Sequence, residues 1–274
     1  MLYLLKLLVC LTGYVRNGNS KYSVKHDSFT AESVIIMMIT IIGRGHSGTR
    51  AISNTLSDSG VFMGEPLNRS WDLVPPESMY EACRVFGKYV DWTGGLTWDF
   101  TKVLTMQPDP AFIRLIEDYL SSVLASSAPN KGWKIPETTL CYPWILKMFP
   151  DMHYIHWVRD PRDCILSGHV TDELENFNIG YPQTQDIRER RAISWKYQRE
   201  LMKTTPEPAK LIKLRFEDMV FKQDEVLAQL ETFLGIKMAK IAMRPDSVGR
   251  WKTDDGRHMF EFFEQDMLEC GYEI

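Results

Sequence analysis

An apolar, β-branched run from Val34 to Ile42 leads directly into Gly43-Arg-Gly-His-Ser-Gly-Thr-Arg50. No other stretch constrains the chain so tightly. The run reads as a buried strand. Gly43, Gly45 and Gly48 permit a sharp turn and a close backbone approach to a ligand. Thr49, Arg50 and Ala51 then open a helix, whose start offers unpaired N–H groups and a positive dipole end to an anion. Strand, glycine turn and helix together make a phosphate cradle.

Gly43 and Gly48 have the glycine spacing of the P-loop nucleotide hydrolases, but Thr49 and Arg50 stand where those proteins have Lys and then Ser or Thr. The lysine that reaches the outer phosphates is missing, and so is the metal-binding hydroxyl. The cradle remains, while triphosphate cleavage loses its parts.

Strands and helices alternate along the chain. A strand is expected at 61–63 and helices at 77–90 and from Asp109 to about Ser126, with Pro110 in the first turn. A brief strand at 132–135 and a helix at 144–149 follow. The strand 152–158 leads into Arg159-Asp-Pro-Arg-Asp163 and a helix that carries Ser167. A helix at 184–204, a strand at 210–216, a helix at 222–234 and a final helix at 258–270 complete the pattern. Residues 91–100, with Trp92, Trp98 and a Gly94-Gly95 pair, read as irregular. Such alternation predicts a three-layer α/β/α fold with a central parallel sheet, P-loop-like in type. Ligands bind at the carboxyl ends of such strands, so the glycine turn, Glu65, Lys134 and Arg159 should converge.

One domain over residues 34–274 is expected, preceded by an apolar helix and linker at 1–33. Net charge is −4, which excludes a general nucleic-acid footprint. The five cysteines include no CxxC pair, which argues against a zinc site or disulfide framework and favours a reducing compartment. Residues 1–12 are apolar apart from Lys6 and are too short to span a bilayer unaided. They leave an anchor touching the membrane, a signal or a docked helix open, and with them a cytoplasmic or a membrane-associated location.

Three further stretches bring out a resemblance. Val158-Arg-Asp-Pro-Arg-Asp-Cys-Ile-Leu-Ser167 places an Arg and a Ser with seven residues between them. Leu214-Arg-Phe-Glu-Asp218 and Val248-Gly-Arg-Trp-Lys252 follow in order. With the glycine turn, these resemble the landmarks of the sulfotransferase superfamily across roughly Ile39 to Lys252. The resemblance implies 3′-phosphoadenosine 5′-phosphosulfate (PAPS) as co-substrate, no metal, and direct in-line transfer of a sulfonate to a hydroxyl or amine. The loop residues Arg44, Gly45, His46, Ser47, Gly48, Thr49 and Arg50 would meet the 5′-phosphosulfate. Arg159 and Ser167 would meet the 3′-phosphate, under a late segment with Arg250, Trp251 and Lys252. An arginine fork suits a phosphate better than a lysine point charge does.

Many relatives have Lys or Arg where this chain has His46. A histidinium there would counter charge developing on the leaving phosphate; Arg44 and Lys134 are the reserve cations. The acceptor also needs a base. Glu65 follows the second strand, as the base does in the peptide-tyrosine branch, with Glu137 in reserve. Lys134 matches a lysine that other branches place near the sulfonyl group. Trp71, Trp92 and Trp98 could stack on an acceptor, which is open among carbohydrate, peptide and small hydroxyl compounds. The alternatives are a kinase-like P-loop phosphotransferase and a nucleotide-binding module without catalysis.

Overall fold

The computed structural model describes residues 36–274. The expectations for residues 1–33 lie outside them. The elements in chain order are β1 (Met37–Ile42), α1 (Thr49–Asp58), α2 (Glu77–Gly87), β2 (Asp91–Gly94), β3 (Thr97–Asp99), α3 (Thr101–Thr105), α4 (Pro110–Tyr119) and α5 (Ser121–Ala125). Then come β4 (Asn130–Trp133), α6 (Tyr142–Met148), β5 (His153–Val158), α7 (Pro161–Cys164), α8 (Ile187–Thr204), β6 (Leu211–Arg215), α9 (Phe216–Phe221), α10 (Gln223–Leu234) and α11 (Glu264–Glu269).

The main sheet is parallel with strand order β4-β1-β5-β6. Parallel sheets are covered on both faces, and the side-chain alternation of each strand feeds both layers. Ile39 and Ile41 join Ile52 and Leu56 of α1 and Val226, Leu227 and Leu230 of α10 in one core. Ile42, Trp133 and Tyr154 join Phe86 of α2, Phe112 of α4, Trp144 of α6 and Tyr197 of α8 in the other. Each such side chain contributes about 1.5–3 kcal/mol when fully buried, so the two apolar layers decide the fold. The chain after residue 258 packs Phe260, Phe263 and Met267 against Trp195 of α8.

Several boundaries differ from the sequence expectation. The strand expected at 61–63 is a single bridge between Phe62 and Lys131. The helix expected to run from Asp109 divides at Leu120 into α4 and α5. Residues 91–99 form a hairpin, not an irregular segment, and Gly94 and Gly95 turn it with φ of 110° and 52°. The helix after β5 ends at Cys164 after one turn, so Ser167 lies in a bend and not on a helical face. The final helix is confined to Glu264–Glu269, after a short 3₁₀ turn.

Candidate active site

Each main strand hands its next residue to one end of the sheet. β1 leads to the loop 43–48, β4 to Lys134, β5 to Arg159 and β6 to Phe216. A cavity of about 560 Å³ opens there, lined by His46, Gly48, Thr49, Arg50, Lys134, Arg159, Phe216 and Arg250, among others. Loop 68–72 supplies Ser70, Trp71 and Asp72 to its wall. Most of the loop and strand-end residues singled out in the sequence therefore meet in one place.

The glycine loop fits tightly. Gly48 precedes α1 with φ 87° and has no side chain to occupy the helix start. A Cβ on it would lie 2.4 Å from the Phe216 ring. A Cβ on Gly45 would lie 2.2 Å from the ring of His169. Among the described residues, no protein acceptor takes the N–H groups of Gly48, Thr49 or Arg50. Those donors suit an anion.

His46 adopts φ 62°, and its exposed ring places Nε2 at 2.7 Å from the Gly168 carbonyl. A carbonyl only accepts, so Nε2 carries the proton and Nδ1 is the variable nitrogen. Desolvation by the surrounding protein lowers the His46 pKa. The Gly168 bond opposes that shift, and Arg44 and Arg159 reinforce it.

Arg44 does not line this cavity. Its guanidinium is buried, pairs with Asp172 and donates to the carbonyls of Gly45 (2.8 Å) and Cys164 (3.1 Å). It braces the loop from beneath and cannot serve as the reserve cation in the cavity. Ser47 is also buried, and its hydroxyl donates to the Arg44 carbonyl at 2.6 Å, leaving lone pairs in place of a donor.

Arg159 ties three segments together. It donates to the His46 carbonyl at 3.0 Å, to Asp163 at 3.3 Å and to the Ser247 carbonyl. Its guanidinium also lies 4.6 Å from the centre of the Phe216 ring. Asp163 in turn accepts from the N–H groups of Gly249 (2.8 Å) and Trp251 (3.0 Å). This fixes the late segment so that Arg250 lines the cavity. Trp251 stacks with Arg162 at 4.0 Å, and neither Trp251, Lys252 nor Ser167 lines the cavity.

Lys134 is 1% exposed, yet it lines the cavity, donating to the Ser70 carbonyl (2.7 Å) and to Asp72. Burial lowers its pKa, and Asp72 opposes that. Glu65 departs from expectation: it is exposed, its backbone N–H donates to Ser122 of α5, and it does not line the cavity. The turn at Gly64 sets the Glu65 backbone against α5.

Glu137 is 1% exposed, and burial pushes its carboxyl up to about 8. His169 lines the cavity, and burial lowers its pKa to about 3. Their 4.0 Å approach thus joins two neutral groups near pH 7. Folded Glu137 keeps a proton that an unfolded carboxyl loses above about 4.5. Its contribution to stability should therefore be full below that value and fall as pH rises toward 8. Melting temperatures of wild type and Glu137→Gln at pH 5 and pH 8 check this. The variant should gain on the wild type at the higher pH; an equal difference at both would contradict it.

Asp72 and His169 were not recognised in the sequence. The polar run Asn68-Arg-Ser-Trp-Asp72 just after a strand-like segment was the available signal for the first. Of the tryptophans, only Trp71 lines the cavity; Trp98 is buried on Tyr197, and Trp92 sits on the exposed hairpin. Among the described residues, no group of three or more His, Cys, Asp or Glu is placed to hold a metal ion. No described helix is long and apolar enough to cross a membrane.

The fold and site define a P-loop-like α/β protein with a cavity at the carboxyl edge of a parallel sheet, lined by Arg50, Lys134, Arg159 and Arg250 among others. A family model described as "Sulfotransferase family" matches residues 39–240, and the chain belongs to that family. A search among curated proteins finds no significant match. Similar solved structures include the sulfotransferase domain from the curacin biosynthetic pathway, with TM-score 0.55 and 14% identity over 87% of this chain and 99% of that domain. The sulfotransferase domain of the Synechococcus PCC 7002 olefin synthase has TM-score 0.52 and 12% identity over 87% and 95%. At such identities the likeness shows the fold.

Proposed function

We propose that the protein transfers a sulfonate group from PAPS to a hydroxyl or amine acceptor. One observation carries this reading: β1, β4 and β5 deliver the glycine loop, Lys134 and Arg159 to a single cavity that Arg250 also lines. The donor is anionic at two ends. Free N–H groups at the start of α1 with His46 suit the 5′-phosphosulfate, and Arg159 with Arg250 suits the 3′-phosphate. A space bounded by Gly48 and Phe216 fits a ligand whose phosphate touches backbone.

PAPS supplies the sulfonate, and the chain's residues orient it and balance its charge. Lys134 uses two of its three donors on Ser70 and Asp72, leaving one for a sulfonate oxygen. His46, when protonated, would place positive charge beside the oxygen that leaves with the phosphate. Ser167, Trp251 and Lys252 act at most through the segments they belong to.

Incubation with ³⁵S-labelled PAPS, a chelator of divalent ions and a panel of saccharides, tyrosine peptides and phenols tests the reading. Labelled product that forms equally with and without chelator is expected. Tight donor binding with no product from any acceptor would favour the non-catalytic alternative.

A further inference from the structure

We propose that Asp72 is the base that takes the proton from the acceptor, and that loop 68–72 is built to hold it there. This assignment rests on PAPS-dependent transfer at the same site and adds the residue that activates the acceptor.

The loop is closed on itself. The Asn68 N–H donates to the Asp72 carbonyl and the Trp71 N–H to the Asn68 carbonyl, both at 3.0 Å. The Asn68 side chain accepts from the N–H groups of Ser70 (2.7 Å) and Asp72 (3.0 Å), and donates to the Asp72 carboxylate (3.1 Å). Trp71 sits at φ 61°, a left-handed conformation that is uncommon for a large side chain. Such outliers persist only where surrounding contacts over-determine them, and they gather at functional sites. Here those contacts are the Ser53 hydroxyl of α1, donating to the Trp71 carbonyl at 3.1 Å, and the Leu73 N–H, donating to the Lys134 carbonyl at 3.1 Å. The loop is thus pinned to the helix that follows the glycine turn and to the strand end that carries Lys134.

The other candidate bases fail on geometry. Glu65 is exposed and absent from the cavity lining, and Glu137 is buried and absent from it as well. His169 accepts the Thr171 N–H on Nδ1 at 3.3 Å, so its ring proton lies on Nε2 and no basic nitrogen is left to face the ligand. Asp72 lines the cavity with its carboxylate held from two sides, by Lys134 on Oδ1 and Asn68 on Oδ2. A carboxylate has about four lone-pair sites, so it can still accept from a third donor.

In the step that follows, a bond forms between the acceptor oxygen and sulfur as the acceptor proton moves to Asp72. The bond from sulfur to the bridging oxygen breaks, and its electron pair leaves on the 5′-phosphate. Lys134 would span both events, because it contacts Asp72 and lines the same cavity.

The test uses water as acceptor: release of ³⁵S-sulfate from labelled PAPS with enzyme in excess, alongside calorimetry of 3′-phosphoadenosine 5′-phosphate. Asp72→Asn should bind the nucleotide within about threefold of wild type and release sulfate about a hundredfold more slowly, as loss of a general base does. If Asp72→Asn does not fold, Asp72→Glu keeps a charge for Lys134 while moving the base by a methylene, and it should lose about tenfold or more. Normal binding with a rate within threefold in the tested variant would overturn the assignment. So would a wild-type chain that binds the nucleotide but hydrolyses PAPS no faster than buffer does. A wild-type chain that does not bind the nucleotide would instead bring down the donor reading, and the base with it.

Discussion

A single methyl group on Gly48 should abolish useful donor binding. Gly48→Ala forces a side chain onto a φ of 87° and drives its Cβ to 2.4 Å from the Phe216 ring. A left-handed backbone costs an L-residue about 1–2 kcal/mol, and overpacking adds about 1–3 kcal/mol. The ring cannot retreat alone, because it carries the Arg159 guanidinium. The change would thus disturb both anion-binding ends at once. Affinity for 3′-phosphoadenosine 5′-phosphate should fall by about a hundredfold or more, since every 1.4 kcal/mol is tenfold. Calorimetry on a variant shown to be folded by its melting curve checks this. Affinity within fivefold would mean that the loop does not hold the phosphate.

The second large effect concerns His46. The free protein holds its imidazole below the ordinary value of 6.5 through desolvation and nearby arginines, so the ring is neutral at neutral pH. A bound phosphosulfate places negative charge beside it and favours the protonated form. Donor binding near pH 7 should therefore take up a proton, with an upper limit of about one per site. Calorimetry in buffers of different ionisation enthalpy measures that uptake, and His46→Ala should lose it. Turnover should fall as pH rises through the His46 pKa of the bound complex, where the cation disappears. His46→Lys, which stays charged to higher pH, should remove that alkaline limb, while His46→Ala should lose turnover with little loss of donor affinity. Equal proton uptake by wild type and His46→Ala would leave this residue with a loop-shaping role only.

The parallel strands of the main sheet, the glycine turn and the basic strand ends were legible because their signals are local. A β-branched run ending in glycines has few alternatives, and β4, β5 and β6 each end one residue before a side chain that lines the cavity. What escaped the sequence depends on contacts between distant segments. Arg44 reads as a loop cation like any other, and only the fold brings Asp172 beneath it to neutralise it. Glu65 sits beside a strand-like segment, but after the turn at Gly64 it is exposed and does not line the cavity, which sequence spacing does not encode. Ser167 was expected on a helix beginning at about Pro161, and α7 does begin there, with Asp160 capping it and accepting from the Arg162 N–H at 2.9 Å. The helix stops after one turn because Gly168 and His169 are held elsewhere, by His46 and by Asp172. Asp72 was hidden for the same reason: its importance comes from Lys134, which is 62 positions away.

The central claim is that this cavity reads a nucleotide carrying both a 5′- and a 3′-phosphate. Titration of wild type and Arg159→Ala with 3′-phosphoadenosine 5′-phosphate and with adenosine 5′-phosphate measures it directly. Wild type should prefer the first ligand, and Arg159→Ala should lose about ten- to a hundredfold on it and much less on the second, as expected for a charge-assisted contact worth about 1.5–3 kcal/mol. Equal losses on both ligands, or no wild-type preference between them, would contradict the claim.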